Sequence, residues 1–213
     1  MSDIFREIDE ELRRDNFFKL WQRYGKYVIV AAAVLVAATA VAVGWREYQS
    51  RQRQAEGVRY EAALALAHQG KDQEAVGAFA AVAQDSNAGR AVLARFEEAA
   101  AKAKSGDRDG ALALYGGIAN DGAVDQAYRD LANLLAARLE LDKDPKDAAA
   151  RLAPLTDAKN PWHASALELT AVAALDEGDK SKARAIYQSL ADDLAAPQGA
   201  RARAAEMVAA LGP

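Results

Sequence analysis

Few residues in this 213-residue chain are of types that do chemistry, and their spacing assigns them to turns and packing. Asp107-Arg108-Asp109-Gly110 opens like a calcium loop. Such a loop runs over about 12 positions and needs further oxygen ligands and a closing Glu. Ala111 to Tyr115 offers no such ligand, so these carboxylates read as turn residues. His68 and His163 stand far apart, with no nucleophile, base and orienter set between them. Without Cys, a thiol nucleophile, a thiolate metal site and a disulfide are excluded. The expectation is a protein that is not an enzyme and takes no cofactor, metal or small-molecule substrate. Trp162 follows Asn160-Pro161, where Asn suits an N-cap and Pro the first helical position, so His163 falls in a first helical turn. Trp162 itself is expected to pack between helices rather than to anchor a ligand.

The elements that must position these residues are helices. Of 213 residues 53 are Ala, the best helix former and a weak core filler. The apolar share of 51% supports a packed core. The net charge of −4 gives no general attraction to nucleic acid. Strand alternation is missing after residue 46, so the fold class is all-α.

Residues 27–45 carry no charge. As a helix these 19 residues span about 28 Å, close to the hydrocarbon thickness of a bilayer. Trp21, Tyr24 and Tyr27 gather at the start of the run and Trp45 and Tyr48 at its end, as an interfacial aromatic belt would. The preceding region is too long and too acidic for a cleaved signal peptide, with Asp3, Glu7, Asp9, Glu10, Glu11 and Asp15 among its charges. The run therefore reads as an uncleaved signal anchor in a lipid bilayer. Basic residues flank both ends, Arg13, Arg14, Lys19, Arg23 and Lys26 against Arg46, Arg51, Arg53 and Arg59, which slightly favours a cytoplasmic N-terminus. Residues 1–26 read as short amphipathic helices. Ile4, Phe5, Ile8 and Leu12 share one face, and Asn16 caps a second helix bearing Phe17, Phe18 and Trp21.

Residues 46–213 repeat a short unit. Gly70-Lys71-Asp72 leads to Ala75, Phe79 and Val82; Gly106-Asp107-Arg108 leads to Ala111, Tyr115 and Ile118. Gly178-Asp179-Lys180 leads to Ala183, Tyr187 and Leu190, and Asp144-Pro145, without the Gly, leads to Ala148, Leu152 and Leu155. Ala63, Ala99, Ala136 and Ala171 stand at one fixed spacing ahead of the four anchor alanines. The unit is a helical hairpin. Gly ends the first helix in a left-handed C-cap, the following acid caps the second, and paired alanines let the two cross closely. These features resemble the tetratricopeptide repeat, in degenerate form: no Trp opens a copy, and Glu98 and Lys102 occupy usually apolar places. The solenoid of such hairpins ends in a capping helix after Pro197, with Ala202, Ala205, Met207, Val208 and Leu211.

Taken in order, the chain resembles the YfgM-like ancillary subunits of the SecYEG translocon. The resemblance rests on a short segment before one span, on Gly44-Trp45-Arg46 with Tyr48 and Ser50, on Trp162, and on Gly178-Asp179-Lys180 with Ala183-Arg184. The opening Asp3-Ile4-Phe5-Arg6-Glu7 lies outside it. It implies a single-pass protein of the bacterial inner membrane, with 1–26 cytoplasmic, 27–45 spanning and 46–213 periplasmic. It also implies work beside the translocon, periplasmic chaperones and translocating clients.

The expected function is a membrane-anchored scaffold that binds proteins on a concave face. If the copies follow tetratricopeptide geometry, that face includes Tyr60, Leu64, Phe96, Asn133, Glu168 and Val172, although Leu64 and Phe96 also suit a core. The alternative is an assembly protein that self-associates through its N-terminal segment or its span, where Ala33, Ala37, Ala40 and Gly44 permit close helix contact.

Overall fold

The computed structural model describes the backbone of residues 2–85 and 88–212 and the side chains of 21–27, 29–85 and 89–212. In order the helices are α1 (Ser2–His68), α2 (Asp72–Asp85), α3 (Ala88–Lys104), α4 (Arg108–Ala119), α5 (Gln126–Glu140), α6 (Pro145–Leu152), α7 (His163–Asp176), α8 (Lys180–Asp192) and α9 (Gln198–Leu211). A 3-10 turn, Ala153–Thr156, extends α6. No strand occurs among the described residues, so the all-α expectation holds.

The chain divides into two compact units, residues 1–55 and 56–213. α1 supplies the described residues 2–55 of the first and the opening helix of the second. Within the first unit α1 is long and apolar enough to cross a membrane, and none of its apolar window is buried. Leu35, Val41 and Trp45 are among its exposed large side chains. α1 runs through Asn16 without interruption, so Asn16 does not start a second helix as the sequence had suggested. The capping preference of Asn is weak against continuous helix formers on both sides. The face assigned to Ile4, Phe5, Ile8, Leu12, Phe17 and Phe18 lies outside the described side chains.

In the second unit each helix from α2 on packs against the next, and α1 meets α2 in the first apolar cluster, in a solenoid of helical hairpins. The paired alanines sit at the crossings: Ala63 with Ala75, Ala99 with Ala111, Ala136 with Ala148, and Ala171 with Ala183 are all at most 1% exposed. One turn later Phe79, Tyr115, Leu152 and Tyr187 fill the groove, followed by Val82, Ile118, Leu155 and Leu190, all buried. Leu155 reaches this place from the 3-10 turn, because α6 is only eight residues long. Four apolar clusters follow one another along the stack, each shared by neighbouring helices. Such a core is local, with each repeat relying on its neighbours.

The caps follow the local rules. Gly70, Gly106 and Gly178 take positive φ of 73°, 91° and 83°, the left-handed conformation in which a side chain is strained. Asp107, Asp144 and Asp179 accept hydrogen bonds from the backbone N–H of Gly110, Asp147 and Lys182. The first copy differs. Its acid, Asp72, is already the first residue of α2, and Lys71 stands at the cap. Asn160 is not the cap of α7 either. Its Oδ1 accepts from Trp162 N at 2.8 Å, closing a turn ahead of a helix that starts at His163. Pro161 sits in that turn rather than in the helix.

Candidate protein-binding groove

Hydrogen bonds about one repeat apart join the first helices α1 (from Glu56) and α3, the first helices α5 and α7, and α7 and the capping helix α9. Arg90 Nη1 of α3 meets Glu56 Oε2 at 2.8 Å. Arg203 of α9 grips both carboxylate oxygens of Glu168 on α7, each at 2.8 Å. Trp162 Nε1 donates to the carbonyl of Ala127 on α5 at 2.8 Å. Trp162 thus fixes α7 against α5, in keeping with a packing role. Below it the buried Asp130 accepts from Gln126 Nε2 at 2.7 Å and from Asn160 Nδ2 at 2.8 Å. His163 Nδ1 lies 2.8 Å from the Thr156 carbonyl, on the same junction.

These links set the rotation of α5 and α7, and so decide which side chains face the space between them. Leu134, Leu135 and Arg138 of α5 and Ser165, Glu168, Leu169 and Val172 of α7 line a groove of about 380 Å³ with Tyr187. On the other side of α5, Ala100, Ala103 and Lys104 of α3 join Leu135, Arg138, Leu139 and Tyr115 around a second groove of about 250 Å³. Leu135 and Arg138 belong to both, so the two form one surface across three first helices. Burial pushes the Tyr115 hydroxyl above its ordinary pKa, the Arg138 charge opposes that shift, and Glu97 adds to it. Burial likewise raises Tyr187, assisted by Glu168. Both phenols remain neutral hydrogen-bonding groups.

The structure divides the six concave-face candidates. Glu168 and Val172 lie on the groove wall, with Glu168 clasped by Arg203. Asn133 faces α6 instead, where its Oδ1 is 3.5 Å from Arg151, which is paired with Glu140. Tyr60 and Leu64 pack on the first apolar cluster, Tyr60 edge-on to Phe79 at 5.8 Å. Phe96 is 9% exposed and lies between Tyr115 and Tyr128. Sequence reasoning missed Leu135, Arg138 and Leu169. Ser165, Leu169 and Val172 share a face at helical spacing, a signal masked by equally regular core positions on α7.

Asp107, the residue most like a metal ligand, is occupied by its own turn. Besides capping α4 through Gly110, it accepts from Lys102 Nζ at 2.7 Å. Among the described residues no group of three or more His, Cys, Asp or Glu is placed to hold a metal ion.

A family model for the tetratricopeptide repeat-like domain matches residues 19–208. The chain belongs to the tetratricopeptide repeat-like domain family. The match starts ahead of the uncharged run, so the family pattern takes in the apolar part of α1 as well as the hairpins. No curated protein and no solved structure matches the chain. Tetratricopeptide repeat-like domains are typically non-catalytic modules for protein interaction.

Proposed function

We propose that the protein is a membrane-anchored, non-enzymatic scaffold that binds protein segments in the groove across α3, α5 and α7. The observation that carries the reading is the groove: apolar walls from three first helices, on a chain that also bears a helix long and apolar enough to cross a bilayer. In the finer form of the proposal 1–26 is cytoplasmic, 27–45 spans the bacterial inner membrane as an uncleaved signal anchor, and 46–213 lies in the periplasm. The resemblance to the YfgM-like subunits supports a place beside SecYEG, with periplasmic chaperones or translocating chains as partners. Tethering concentrates the repeats near such partners and compensates for weak contacts.

Purification of the full chain in mild detergent, with identification of what accompanies it, tests the reading. Ser165→Trp fills the groove from its wall without removing a core side chain. The wild type is expected to retain translocon subunits and clients, and Ser165→Trp to lose the clients. Equal recovery with both would contradict the groove. Orientation is checked with Ser181→Cys, an exposed position in a chain without native Cys. Labelling by a membrane-impermeant thiol reagent only after the inner membrane is broken would reverse the topology.

A second reading, self-association through the span, rests on one face of α1. Val34, Ala37, Ala38, Val41, Ala42 and Trp45 lie along one exposed apolar face there. A hybrid with an unrelated span in place of 27–45 separates the two. The scaffold keeps its clients in the hybrid, whereas an assembly protein of this kind loses its own second copy.

A further inference from the structure

We infer that α1 binds the same helix of a second copy, in parallel and in register, along the face of Ala55, Val58, Ala62 and Ala65. This goes beyond the scaffold reading and carries the self-association of the span into the repeat domain. The four residues are exposed, Val58 by 70%. The opposite face of the same stretch is used by the hairpin: Tyr60, Ala63 and Leu64 pack in the first apolar cluster, and Glu56 holds Arg90. α1 thus has two apolar faces here, and only one is covered. Later first helices show what covers the other. By the spacing of the paired alanines, Ala55, Val58 and Ala65 match Ala91, Ala94 and Ala101 of α3, and Val58 and Ala65 match Ala166 and Ala173 of α7. All five of those alanines are at most 8% exposed. Ala101, Ala166 and Ala173 share an apolar cluster with the hairpin that precedes each. In α5 Leu131 is partly buried at this place, and Arg138 opens on the groove. No described helix covers α1 in the same way. A solenoid end that faces water needs a polar surface, and this one is apolar.

A second copy fits this face by period and by charge. Ala55 and Ala62 fall at a, and Val58 and Ala65 at d, of a heptad, the period at which two helices wind together. In the sequence the same register reads back through Tyr48, Val41 and Val34 at a, and Gly44 and Ala37 at d. Copies anchored in one bilayer bring these positions to the same height, so the partner that matches at every turn is the chain itself. Parallel pairing sets each g residue against the e residue of the partner's next heptad. Here that places Glu47 on Gln52, Gln54 on Arg59 and Glu61 on Leu66, with no like charges together. Arg51 is the one charged core position, and Glu47 accepts from its Nε at 2.8 Å. A polar residue at a single core position lowers stability and fixes register. α1 is already helical and held by its own hairpin, so pairing costs little ordering entropy.

The test is disulfide trapping of the full chain in native membranes with copper phenanthroline, using single-Cys variants of a chain that has no Cys. Ala62→Cys should give a disulfide-linked dimer of the chain, and Ser181→Cys, exposed on α8, should give none. Val58→Asp added to Ala62→Cys should abolish that dimer. Val58 is exposed, so its replacement leaves the core intact, and circular dichroism of the purified chain checks helix content. Co-expression with a copy carrying Val58→Lys and Ala62→Cys should restore the dimer, because opposite charges then meet at the d position. No dimer from Ala62→Cys, equal dimer from Ala62→Cys and Ser181→Cys, or linkage of Ala62→Cys to another protein would overturn the inference. A dimer of Ala37→Cys that survives Val58→Asp, with none from Ala62→Cys, would overturn it and leave association through the span alone. Client binding is read separately through Ser165→Trp, so the scaffold reading and this inference fail on different results.

Discussion

Asp107, at the cap of α4, and Glu98, on α3, both interact with Lys102 and shift in opposite senses. Lys102 and the Gly110 N–H hold the Asp107 carboxyl below its ordinary value of 3.8. A lowered acid contributes stability above its unfolded pKa and loses it as pH falls through the folded one. Burial raises Glu98 above its ordinary 4.5, only partly offset by Lys102. Its ionisation therefore opposes folding as pH rises through that range. Asp107→Asn should destabilise the protein at neutral pH and Glu98→Gln should stabilise it. As pH falls, the Glu98→Gln difference should fade first, from above the ordinary glutamate range, and the Asp107→Asn difference only below the ordinary aspartate value of 3.8, as urea unfolding at a series of pH values would show. Two glycines of α4 give a second contrast. A Cβ at Gly117 meets open space, so Gly117→Ala should gain about 0.5–1 kcal/mol in the same assay. A Cβ at Gly110 would collide with the Asp107 carboxylate, so Gly110→Ala should displace the cap and lose stability despite its better helix propensity.

At the scale of elements the close helix crossing governs stability more than propensity does. Ala111 and Ala183 are completely buried where second helices meet first helices. Ala111→Leu and Ala183→Leu keep a good helix former but overfill the crossing, and each should cost about 1–3 kcal/mol in denaturant unfolding. Lys180→Leu, on the exposed first turn of α8, should change stability by less than about 0.5 kcal/mol. Equal effects at the three sites would contradict the register of the repeats. That register was legible in the sequence because crossings demand small residues and left-handed caps demand glycine, both visible at fixed spacing. The start of α7 was not. Asn160 and Pro161 match a cap and a first turn, yet Asn160 is drawn to Trp162 N and to the buried Asp130, and the helix begins later. A buried tertiary hydrogen bond outweighs a local preference there.

For the whole molecule the fold class could be read from periodicity, whereas the residues lining the groove could not. Which side of a first helix faces inward depends on helix rotation. That rotation is set here by contacts one repeat away, such as Trp162 to Ala127 and Arg203 to Glu168. Asn133 and Leu135 are two positions apart in α5, yet one meets Arg151 of α6 and the other the groove. The second compact unit, residues 56–213, holds the four apolar clusters and their caps. Expressed alone it should keep the helices of residues 56–213 and unfold cooperatively, while leaving the membrane fraction.

The central claim, a membrane-tethered groove that holds protein segments, is tested most directly by photo-crosslinking in living cells. A crosslinking amino acid replaces Val172 on the groove wall or Asp109, whose side chain is 88% exposed in the α4 turn. From position 172 defined protein adducts should form in the membrane fraction and disappear when Ser165→Trp is added, while position 109 gives none of them. The same adducts from both positions, or adducts at 172 that persist with Ser165→Trp, would contradict the account.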